Sequence, residues 1–107
     1  MEAWFTLAEV ELALKNWKEA LFASAKVLQL SGVKSSRESI QILPIRAQAY
    51  EGLGDYPNAI KAWTVAAKEM PDSTLPLVRR AACYAKVGDK KAQNRDLEQV
   101  KKVELSF

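Results

Sequence analysis

One ten-residue pattern occurs twice in this chain, in phase. Arg46-Ala47-Gln48-Ala49-Tyr50-Glu51-Gly52-Leu53-Gly54-Asp55 returns as Arg80-Ala81-Ala82-Cys83-Tyr84-Ala85-Lys86-Val87-Gly88-Asp89, with 34 residues between every matched pair. A fixed period of this length implies a small unit stacked on copies of itself. A unit that short cannot bury its apolar face alone, so neighbouring copies must supply the core.

The residues of each copy say what the unit is. Gly54 and Gly88 read as helix stops, since glycine adopts the left-handed conformation that closes a helix. The aspartates that follow, Asp55 and Asp89, can cap the next helix. After Asp55, Pro57 suits a first helical turn, where its missing N–H would have had no partner anyway, so a helix is predicted to start near residue 57. Ala59, Ile60, Trp63, Ala66 and Ala67 recur at steps of three and four and give that helix one buried face. Pro71-Asp72-Ser73 breaks it. The unit is helix, tight turn, helix, break.

A fainter copy precedes these two. Leu7, Ala8, Leu12 and Leu14, then Ala20, Leu21, Val27 and Leu28, form two helical stripes around Lys15-Asn16, with Asn16 as the residue suited to a left-handed turn. The pair ends near Ser31-Gly32. A polar connector follows, about five residues longer than the break after Pro71, and Ser35 and Glu38 have capping-box spacing for the next helix. The chain therefore divides into repeats at about 1–34, 40–73 and 74–107 with a connector at 33–39, all in one domain. Pro44 would break a hydrogen bond deep inside a helix, which places the start of its helix within one turn before it, a kinked longer helix being the alternative.

The period and the residue pattern resemble the tetratricopeptide repeat, in which W-x2-L-G-x2-Y is followed by A-x3-F and a late proline. The second copy matches best, through Ala47, Tyr50, Gly54, Asp55, Tyr56, Ala59, Trp63, Ala66 and Pro71, with Leu43 in place of the tryptophan. The first has Trp4, Leu7, Ala8 and Ala20, but Glu11 stands for the tyrosine and Ser24 for the aromatic. The third has Leu77, Ala81, Tyr84, Gly88 and Asp89, then departs with Gln93 and Leu97. Small residues at Ala47, Ala59 and Ala81 let helices approach while Tyr50, Trp63 and Tyr84 fill the space beside them. Cys83, matching Ala49, reads as a small packing residue.

The resemblance implies an all-α fold, a right-handed superhelical stack of three antiparallel helix pairs, whose first helices line a concave groove for a peptide or partner helix. On that pattern the groove residues are Phe5, Glu9 and Leu12 from the first copy and Gln48 and Glu51 from the second. The third supplies Leu75, Val78, Arg79, Ala82 and Lys86. The groove is apolar with a basic end, suited to an apolar anchor and an acidic group. Some relatives clamp the carboxylate tails of heat-shock chaperones with lysine, asparagine and arginine. Here Phe5, Glu9, Ile45 and Leu75 occupy those places and only Arg79 fits, so such tails are not expected partners.

Composition narrows the functions further. The 107 residues are 49% hydrophobic and 27% charged, the balance of a folding globular chain that needs no cofactor. There is no histidine and one cysteine, which removes the usual zinc sets and any internal disulfide. With no Gly-rich phosphate loop or serine elbow either, the chain reads as a scaffold and not an enzyme. The net charge of +3 is uneven, being 0 over residues 1–39, −1 over 40–73 and +4 over 74–107. The basic residues from Lys90 to Lys102 lack interleaved aromatics, which argues against a nucleic-acid surface. The last helix carries only a narrow stripe, Ala92, Leu97, Val100 and Val103, and so can close the stack. The opposite end has no such polar cover and calls for an upstream segment, a partner or a second copy of the chain. Glu2 stands where a signal peptide would carry a base, and no apolar run nears the roughly 18 residues of a membrane span. No membrane association is expected, and the cytoplasm is the expected compartment.

Overall fold

The computed structural model describes residues 2–31 and 37–105. Six helices follow in order, α1 (Glu2–Ala13), α2 (Trp17–Ser31), α3 (Arg37–Gly52), α4 (Tyr56–Glu69), α5 (Leu75–Lys86) and α6 (Lys90–Leu105). Each packs on the next, and α1 also touches α3. This is the tetratricopeptide-like stack of three antiparallel helix pairs. It forms a slab of 38 × 29 × 19 Å with a radius of gyration of 14.0 Å, slightly more extended than the ~13 Å of a compact 100-residue domain.

All three pairs turn through the same device. The N–H groups of Asn16, Asp55 and Asp89 reach back to the carbonyls of Glu11, Tyr50 and Tyr84, each at 2.9 Å. The residues before them, Lys15, Gly54 and Gly88, take φ of 62°, 75° and 81°. Double back-bonding around one left-handed residue satisfies carbonyls that the helix end leaves without partners. The left-handed residue of the first pair is thus Lys15 and not Asn16. Asn16 stands in the place of the two aspartates, one position too late for the turn.

Helix starts are fixed locally. Asp55 accepts from the Asn58 backbone N–H at 3.3 Å and from its side-chain amide at 2.7 Å. Asp89 accepts from the Ala92 N–H at 3.1 Å, and Ser73 Oγ from the Leu75 N–H at 3.3 Å. Ser35, the expected cap for α3, lies outside the described residues. Of the two starts considered, the one within a turn of Pro44 fails and the longer helix holds, because α3 begins at Arg37 and runs through Pro44. The loss at Pro44 is one backbone hydrogen bond in a helix of 16 residues, and burial of Ser39, Ile42, Leu43, Ala47 and Ala49 outweighs it.

Two clusters make the core. Ala8, Ala23, Val27 and Ile42 join α1, α2 and α3, and Leu43, Ala47, Ala59, Trp63, Ala66 and Cys83 join α3, α4 and α5. Leu28 packs against both and makes them continuous. Three residues expected in core stripes are exposed, namely Leu7, Leu14 and Leu97. Leu7 lies on a side of α1 that no helix covers among the described residues, and Leu14 follows in the turn. On α6 the buried positions are Ala92 and, against expectation, the acid Asp96.

Candidate functional site

Arginines at the repeated position tie the helices together. Arg46 Nη1 donates to Ser24 Oγ on α2 at 3.1 Å and Nη2 to Tyr50 Oη at 3.2 Å, with the guanidinium over the Tyr50 ring. Its counterpart Arg80 grips Asp96 with two bonds, Nε to Oδ2 at 2.7 Å and Nη2 to Oδ1 at 2.6 Å, and donates Nη1 to Thr64 Oγ1 at 3.1 Å. Asp96 is 2% exposed. A carboxylate so buried is tolerable because a planar guanidinium meets both oxygens. The hydrogen bond with Asp96 raises the Arg80 pKa above its ordinary value, and burial opposes the shift.

A concave hollow of ≈ 650 Å³ opens beside α1, α3 and α5, with Trp17 and Tyr56 from the starts of α2 and α4. Of the expected groove residues, Glu9, Leu12, Gln48, Glu51, Arg79, Ala82 and Lys86 line it. Phe5, Leu75 and Val78 do not. Phe5 packs instead against the Ala8–Ile42 cluster, while Leu75 and Val78 are exposed elsewhere on α5.

Glu51 is committed within the wall of the hollow. Its Oε2 accepts from the indole Nε1 of Trp63 and its Oε1 from Arg79 Nη2 at 3.0 Å. The Arg79 guanidinium lies 5.6 Å from the Trp63 ring centre. This triad joins α3, α4 and α5 and neutralises Arg79, so the charge left for a visitor comes from Glu9, Lys15 and Lys86. Behind the triad, burial first and the Glu51 carboxylate second push the Cys83 thiol up to about 11. A buried, protonated thiol is a poor nucleophile.

Trp17 and Gly52 also line the hollow, and the sequence reading missed both. A Cβ at Gly52 would run into the ring of Trp17, so this glycine is required by a flat aromatic ring resting on the backbone of α3. A glycine inside a helix, two residues before the turn glycine, was the available signal.

No protein-family model matches the chain, and no curated protein matches its sequence. Solved structures match its fold. PcrH, in complex with the chaperone binding region of PopB, superposes with a TM-score of 0.84 at 13% identity, over 99% of this chain and 82% of the other. The fold is a tetratricopeptide-like solenoid. MamA (MSR-1 C2) superposes with a TM-score of 0.85 at 13% identity, over 98% of this chain but 57% of its own. This chain thus spans little more than half of that protein. At 13% identity the likeness is one of fold. Among the described residues no helix is long and apolar enough to cross a membrane.

Proposed function

We propose that this chain is a tetratricopeptide-repeat scaffold that catalyses nothing and holds a segment of another protein in its concave hollow. The observation that carries this reading is the hollow itself, lined by Glu9 and Leu12 of α1, Gln48 of α3 and Ala82 of α5. Three successive first helices thereby present side chains to one space. Its floor combines Leu12, Ile45 and Trp17 with amide and charged groups, the mixture that seats an apolar anchor and fixes its orientation. Lys15 and Lys86 make no ion pair among the described residues, so an acidic group on the guest complements the rim. The fold of PcrH, whose structure holds a region of PopB, supports a guest of this kind.

The test uses Ala82→Glu combined with Lys86→Glu. Both residues are exposed, so folding should survive, which circular dichroism checks. Affinity capture from the source lysate should yield a protein with the wild-type chain that the double variant loses. Equal capture by both chains would remove the hollow as the binding site.

A further inference from the structure

The face that α3 turns to α2, and α5 to α4, has no helix against it on α1 among the described residues. Ile42 and Ala49 of α3 are buried, Ile42 against α2 residues Ala23 and Val27. At the matching places of α5, Pro76 and Cys83 are buried, with Cys83 against Trp63 and Ala66 of α4. The same places on α1 are Ala3 and Val10, both exposed, with Val10 at 47%. Leu7 takes the position at which Arg46 and Arg80 reach hydroxyls on the preceding helix. Leu14, whose N–H still bonds the Val10 carbonyl just past the end of α1, extends the row at a position that is exposed in the other copies as well, at Leu53 and Val87. Where the other copies place an arginine that needs a polar partner, α1 places an apolar side chain that needs an apolar one.

We propose that this row is the seam of a two-fold dimer with a second copy of the chain, α1 running antiparallel to its mate. Ala3, Leu7, Val10 and Leu14 are spaced by four, three and four residues, the a/d spacing of a coiled-coil seam. That series reads identically in both directions. A copy turned end for end therefore sets Leu7 against Val10 and Ala3 against Leu14, so each small side chain meets a larger one and every contact occurs twice, as an isologous interface requires. Beside the seam lies a second hollow, lined by Trp4, Leu7, Glu11, Lys18, Glu19 and Phe22, where Trp4 and Phe22 meet edge to face at 5.8 Å. Its rim carries both charge signs, which a turned copy of itself can match. End-to-end stacking on α6 is disfavoured because that helix exposes mainly charged residues. None of the seam residues lines the concave hollow, so this inference stands or falls separately from the binding function.

Sedimentation equilibrium at several hundred micromolar chain should give about twice the 11.9 kDa mass, and Leu7→Glu with Val10→Glu should give the single mass with unchanged circular dichroism. A second measurement fixes direction. Leu7→Cys chains mixed with Val10→Cys chains should cross-link to each other faster than to themselves, Cys83 being buried. A wild-type chain that stays monomeric at these concentrations would overturn the proposal. So would a dimer that survives the double glutamate variant, or preferential cross-linking of like with like.

Discussion

At the scale of single residues the repeat positions differ in what they stabilise. Arg80 and Asp96 form the most buried charge pair among the described residues, so Asp96→Ala strands a guanidinium and should cost about 3–5 kcal/mol. Replacing both partners by apolar residues, as in Arg80→Met with Asp96→Leu, should cost much less. Urea unfolding of the three chains checks both figures. Lys15 does with an ordinary side chain what Gly54 and Gly88 do with none. Lys15→Gly should therefore raise stability by about 1 kcal/mol, and Gly88→Ala should lower it by a similar amount. Cys83 gives a pH dependence with a definite sign. Its thiol is held protonated, with its pKa raised from 9.0 to about 11. The stability this contributes is complete below pH 9 and is lost as pH rises toward 11. Cys83→Ala, which restores the residue of the sister copy, should lack that share of the alkaline decline when urea midpoints of the two chains are compared.

At the scale of helices, the period of 34 made most of the architecture legible, because caps, stops and apolar steps recur with it. What was not legible lacks a repeated counterpart. Asp96 stands where the preceding copy has Ala62, and only contact with Arg80 reveals why an acid is accepted there. Trp17 and Gly52 come from different copies, and no spacing within one copy connects them. The hollow was legible where residues sit on the inner side of a first helix, and Lys15 was missed because it belongs to a turn. At the start of α3 one strong local rule favours the shorter helix, and the longer alternative is the one that forms. Pro44 denies the Ile40 carbonyl its helical donor, so Pro44→Ala should restore that bond and raise stability by roughly 1–3 kcal/mol. Thermal unfolding of the variant measures it.

At the scale of the whole molecule, the lining of the hollow argues against one well-defined guest. A clamp for two carboxylates needs several free cations, whereas the lining offers Glu9 and Ile45 at two of its places and ties Arg79 to Glu51. Calorimetry with a chaperone tail peptide should show no micromolar binding. The succession of contacts, each helix resting mainly on its neighbours in sequence, has a further consequence. Pulled by its two ends, such a chain has no distant clasp that must break first. It should yield one helix pair at a time, at forces set by each local interface, and close again in the same order when released. The molecule is in that sense a short spring, stiffest at α2 and α3 where both core clusters meet.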